Sequence, residues 1–115
     1  MNTELLKGVV EIFILGLVFK KDSYGYEIAK NIKNLSNGKY NIAEGTLYPA
    51  LKRLENKGYL KSYIHFNQDN KRKRKYYKIT EDGKKEFFLK CQEFKELSSL
   101  IEYLEEVYVN EKFDR

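Results

Sequence analysis

Ala43 to Leu60 reads AEGTLYPALKRLENKGYL, and it is followed at Lys71 to Lys75 by KRKRK and then by YYKIT. Leu47, Ala50, Leu51 and Leu54 recur at i, i+3, i+4 and i+7, which predicts a helix from Glu44 to Lys57 with that face in the core. Gly58 ends it. Gly45, Pro49, Lys52, Arg53 and Asn56 then stand on the opposite face, with Thr46 and Tyr48 on its flanks. Tyr59 to Phe66 alternates weakly and reads as a strand, as does Lys73 to Ile79. Asn67-Gln68-Asp69-Asn70 between them is turn chemistry. An amphipathic helix, a strand, a charged hairpin tip and a second strand make the layout of a winged helix-turn-helix. The fold class is therefore mainly α (α+β).

The flanking segments extend that layout. Thr3 to Lys20 reads as an N-terminal helix that is apolar nearly all round, from Leu5 and Val9 through Phe13 to Val18. A helix of that kind needs cover on more than one side, and a second subunit can supply part of it. Ser23 suits the N-cap of a helix from Tyr24 to Leu35, with Ile28, Ala29, Ile32 and Leu35 on one face. Ser36-Asn37-Gly38 stops it. Thr80 caps a last helix whose first turn holds Glu81 and Asp82, running to about Val109, roughly 45 Å. Phe87, Cys91, Phe94, Ile101, Leu104 and Tyr108 form a seam along it, with Leu97 beside them, at spacings suited to a partner helix. The expected organisation is a DNA-binding winged helix over residues 1–79 and a C-terminal dimerisation helix over 80–115. Leu5, Val9 and Phe13 join the seam in the expected dimer interface.

Charge separates these parts. Residues 1–60 carry a net +3, residues 61–79 a net +6 and residues 80–115 a net −4. A surface built only for solubility mixes its signs, so the positive block points to a polyanion. One Cys excludes an internal disulfide and fits a reducing compartment. The apolar run Val9 to Phe19 is interrupted by Glu11 and is too short to span a membrane. A cytoplasmic protein without membrane contact is expected.

The partner that fits the positive block is double-stranded DNA. The third helix would enter the major groove by its N-terminal end, with Thr46 and Tyr48 at bases or phosphates and Lys52 and Arg53 at phosphates or guanine edges. Backbone N–H groups from Ala43 to Gly45 would hold a phosphate. Pro49 presses on the carbonyl of Gly45, four residues back, and bares backbone in that turn. Lys71, Arg72, Lys73 and Arg74 would lie along the neighbouring backbone. The alternative is a winged helix that grips an acidic protein. His65 is the one histidine, read as a strand residue near the wing, so neither a His-metal cluster nor a Ser-His-Asp set is available. No phosphate loop or carboxylate pair in a motif suggests catalysis. No enzyme, metal or cofactor is expected.

GTLYPALKRLENKGYL, with YGYEI at Tyr24–Ile28 before it and RKYYKITEDG at Arg74–Gly83 after it, resembles the PadR family of transcriptional regulators, and its single last helix resembles the short subfamily. The resemblance implies a homodimeric winged-helix protein, in most members a repressor of a palindromic operator, in many released by phenolic or drug-like effectors. By position it implies Thr46, Tyr48, Lys52 and Lys71 to Arg74 as DNA contacts, with Tyr24 near the backbone. Ala43 stands where the family often has a serine cap, which leaves Asn41 to serve there and to join the DNA surface. Asp69-Asn70 stands where the wing tip often has glycines. In short members a central cavity can form between subunits; here Phe94, with Phe13, Leu97 and Ile101, would either line an effector pocket or fill the dimer core.

Overall fold

The computed structural model describes residues 3–113, and the side chain of Leu5, assigned above to the dimer interface, lies outside the described residues. The chain runs α1 (Thr3–Lys20), β1 (Ser23–Tyr24), α2 (Gly25–Leu35), α3 (Glu44–Asn56), β2 (Leu60–Phe66), β3 (Lys73–Ile79) and α4 (Glu81–Phe113). The three strands form one antiparallel sheet in the order β1-β3-β2, with Leu60 opposite Ile79 and Phe66 opposite Lys73. This is a winged helix with a long helical extension.

The α3 face forecast from spacing is the centre of the core: Leu47, Ala50, Leu51 and Leu54 are all buried, beside Ile28 and Ile32 of α2. Helix α1 fills the middle of the body and touches α2, α3, β3 and α4. Its Val10, Ile14, Leu15 and Val18 are buried within the chain itself. Ile12, Phe13, Gly16 and Leu17 line an open groove and Phe19 is exposed, so the chain itself covers part of the apolar periphery of α1. Leu35, expected on the packed face of α2, stands exposed at the rim of that groove.

The ends of the elements follow local chemistry. Asn37 (φ 56) and Gly38 (φ 80) take the left-handed conformation that stops α2. The Thr80 hydroxyl accepts from Gly83 N (3.0 Å) and donates to the Gly58 carbonyl (2.7 Å), capping α4 and tying it to the end of α3. At Ser23 the structure differs from expectation. Ser23 is not a helix cap: it is buried in β1 opposite Tyr77, its hydroxyl donates to the Lys21 carbonyl, and α2 starts at Gly25. A strand of two residues is too short to show alternation, whereas the β3 edge offers its backbone a ladder.

Helix α4 has 33 residues, about 50 Å, and overruns its expected end at Val109 to reach Phe113. Its start belongs to the body. Phe87 packs on Gly16 and meets Phe19 edge-on at 5.8 Å, and Cys91 lines the groove over α1. Both were assigned to a seam between subunits, but their own α1 lies close enough to take them first. Phe94, Leu97, Ile101, Leu104 and Tyr108 are exposed along the rest of the helix.

Candidate nucleic-acid interface

The site begins at the N-terminus of α3. Its N-cap is Ala43, which has no side-chain oxygen, and no side chain caps the helix. Asn41, expected to serve as cap, is exposed and does not bond there, because it sits two residues ahead of the capping position. Ala43 O accepts from Thr46 N (3.0 Å) and Leu47 N (2.9 Å). With no side-chain cap, the N–H groups of Glu44 and Gly45 are left open to an anion, with the positive end of the helix dipole behind them. Gly45, Pro49, Lys52 and Asn56 form an exposed face of α3. Proline at position 49 removes the donor that would have bonded the Gly45 carbonyl.

The two flanks of α3 differ. On one, Thr46 and Arg53 border a cleft of about 180 Å³ shared with Gly45, Pro49 and Val10 of α1. There Arg53 Nε lies 3.4 Å from a Glu11 carboxylate oxygen. On the other, the Tyr48 ring lies over the backbone of Gly25: a Cβ on Gly25 would fall 2.8 Å from the Tyr48 Cε1 and hydroxyl oxygen. YGYEI and GTLYP therefore interlock, the glycine of one seating the tyrosine of the other. Gly25→Ala is expected to push the Tyr48 ring aside, a movable group, with less than about 1 kcal/mol lost in stability and a larger loss in duplex binding. Thermal melts beside binding titrations check it; equal binding by the variant would show that the ring's seat does not matter.

The wing is closed by asparagines. Asn67 N donates to the Arg72 carbonyl (2.9 Å), and Asn67 Oδ1 accepts from Asp69 N (2.9 Å) and Asn70 N (3.4 Å). Asn70 Oδ1 accepts from Arg72 N (3.0 Å), and Lys71 takes a positive φ of 57° where a glycine would be relaxed. Lys71, Arg72 and Lys73 are exposed. Alternation along β3 sends the next cations to opposite faces. Arg74 stacks its guanidinium over the Tyr24 ring at 4.4 Å, and Lys75 lies 3.5 Å from Glu55, which also accepts from the Ser62 hydroxyl.

The Arg74 face carries an aromatic cluster that pattern reading did not find. Tyr76 meets Tyr24 (5.3 Å), Tyr63 (5.7 Å) and His65 (5.3 Å), so His65, a residue of β2 as expected, is also a ring neighbour. The register that pairs Tyr63 with Tyr76 and His65 with Arg74 was its only signal. The Tyr63 hydroxyl donates to Asp22 at 2.7 Å, and that bond, with burial and the carboxylate's charge, pushes its pKa up to about 12. Burial also raises Tyr77, against the pull of Lys75.

The residues grouped as an effector pocket are divided. Phe13 lines a groove of about 490 Å³ with Tyr40, Phe87 and Cys91, whereas Phe94 and Leu97 line a separate hollow of about 140 Å³ beside Glu11 and Lys90. Ile101, one turn beyond Leu97, lines neither. Among the described residues no group of three His, Cys, Asp or Glu could hold a metal ion, and no helix is long and apolar enough to cross a membrane.

An open helix N-terminus beside a basic hairpin defines the winged helix-turn-helix class. Comparison with known proteins narrows it. The profile of the transcriptional regulator PadR-like family matches residues 14–88, from α1 through the packed start of α4. A protein of Lysinibacillus sphaericus called uncharacterized protein X is 36% identical over 102 residues, 89% of this chain and 93% of its own length. Among solved structures, a transcriptional regulator from Clostridium thermocellum is 41% identical with a TM-score of 0.80, covering 87% of this chain and 96% of that one. A PadR family transcription regulator from Clostridium difficile is 38% identical with a TM-score of 0.71, covering 84% and 97%. The chain belongs to the PadR-like family. It is a DNA-binding transcriptional regulator and not an enzyme, which sets aside the reading as a grip for an acidic protein.

Proposed function

We propose that this chain acts in the cytoplasm as a homodimeric repressor that occupies a pseudo-palindromic operator. Residues 1–79 carry the DNA surface and residues 80–115 the pairing helix. The two copies of α3 enter successive major grooves about one turn, roughly 34 Å, apart. The first turn of α3 takes a phosphate on its open N–H groups. Thr46, Tyr48 and Lys52 meet bases or backbone, Asn41, Gly45 and Pro49 shape that end, and Tyr24 and Arg74 approach the backbone as a stacked pair. Lys71, Arg72 and Lys73 lie along the phosphates. The observation that carries the reading is the distribution of charge over the fold, a net +6 across residues 61–79 and −4 across α4 and its end. Release by an aromatic effector would use the apolar groove beside Phe13, Tyr40 and Phe87, with Phe94, Leu97 and Ile101 closing over it only once a second subunit is present.

Replacing Lys71, Arg72, Lys73 and Arg74 together by alanine is expected to weaken binding and to flatten the slope of log K against log salt by about 0.9 per lost phosphate contact. An unchanged slope would remove the wing from the interface. Selection of duplexes from a random pool should return sites with two-fold symmetry, their half-sites about 10 base pairs apart. A pool without symmetry would argue against paired α3 helices.

A further inference from the structure

Three elements meet at Glu11 on α1. Its Oε1 lies 3.4 Å from Nε of Arg53 on α3, and its Oε2 lies 3.4 Å from Nζ of Lys90 on α4. Lys90 in turn faces Glu86 of its own helix at 3.8 Å. The Glu11 side chain is only 17% exposed, while that of Arg53 is 52% exposed. The carboxylate is withdrawn from water, and one of its two cations is displayed.

An ion pair with a half-exposed partner adds about 1 kcal/mol or less, so the Arg53 contact does little for stability. Its effect is geometric. Nε is one of the five N–H donors of arginine, and the remaining four belong to the fork that takes an oxyanion through parallel bonds. An arginine held by Nε has already lost much of the rotamer freedom that binding would otherwise remove. Lys90 grips the second carboxylate oxygen, so Glu11 keeps its place when another anion approaches Arg53. Arg53 also borders the cleft that holds Gly45, Thr46 and Pro49, the end of α3 where a phosphate is expected.

The geometry points to Glu11 as a positioning residue for DNA binding: through Nε it pre-sets the Arg53 guanidinium on the flank of α3 to receive a backbone phosphate. This rests on the DNA reading above and adds to it a residue that never touches DNA. The test titrates the full chain and its Glu11→Ala, Glu11→Gln, Arg53→Ala and doubly substituted Glu11→Ala/Arg53→Ala forms into one duplex at fixed salt. Glu11→Ala should weaken binding about threefold to tenfold, the scale of freezing one rotamer-rich side chain. Glu11→Gln, which keeps an oxygen to accept from Nε, should recover most of that loss. In the Arg53→Ala background Glu11→Ala should change nothing. Glu11→Met fills the same space without an acceptor and carries the same expectation where the alanine variant folds poorly. A loss that persists without Arg53, or tighter binding once the carboxylate is gone, overturns the inference alone. Wild-type protein that ignores every duplex overturns the DNA reading, and the role of Glu11 with it.

Discussion

Glutamate placed at both Leu97 and Ile101 is expected to separate the subunits and to weaken binding to an operator-length duplex about 100-fold or more. Both side chains stand more than 60% exposed on the second half of α4, Ile101 one turn beyond Leu97. Phe94, Leu100, Leu104, Val107 and Tyr108 are exposed along the same stretch. A monomer rarely shows so continuous an apolar strip, and each aliphatic residue covered by a partner contributes about 1.5–3 kcal/mol. The two substitutions would place four carboxylates in one interface, each costing about 3–5 kcal/mol if buried without a partner. A lone subunit then holds one half-site and loses the roughly 10²–10⁴-fold gain of binding both halves at once. Light scattering reads the mass and a duplex titration reads the affinity. A variant that remains dimeric would place the subunit interface elsewhere.

Gly83→Ala should lower stability by about 2–3 kcal/mol, against the direction that helix propensity alone gives. Alanine is about 1 kcal/mol better than glycine inside a helix. Gly83, however, sits in the first turn of α4 where a Cβ would overlap the Tyr59 carbonyl oxygen and fall 2.7 Å from Ile79 Cγ1. A backbone carbonyl cannot turn aside as a ring can, so overpacking outweighs propensity. The same change at Gly8 in α1, where an added Cβ meets nothing within 4 Å, should stabilise by about 0.5–1 kcal/mol. Thermal melts of the two variants should move in opposite directions, Gly83→Ala downward by about 10 °C. Equal shifts would mean that α4 does not start so tightly against the end of α3.

What the sequence disclosed and what it hid divide along a physical line. The buried face of α3 was legible because four apolar residues at helical spacing leave one arrangement. β3 was legible across Lys73–Ile79 because turn residues and cations bracket it. β1 was hidden, since Ser23 and Tyr24 become a strand only through pairing with Tyr77 and Tyr76. The capping of α3 was misassigned to Asn41 because the N-cap is Ala43, two residues further on, and the helix starts without a side-chain cap. Phe87 has the spacing of a dimer seam and the surroundings of a core residue; periodicity cannot tell which helix, its own α1 or a partner's, lies opposite. Pairs far apart in sequence, Glu11 with Arg53 and Tyr24 with Arg74, required the fold itself.

The most direct test of paired winged helices on DNA is a titration of the purified chain against generic duplex in dilute buffer, repeated as salt is raised, with the mass of the bound species measured alongside. A dimer that binds at low salt, with log K falling in proportion to log salt by about 0.9 for each phosphate engaged, is the expected result. A monomeric complex, an affinity indifferent to salt, or no binding in dilute buffer would contradict it.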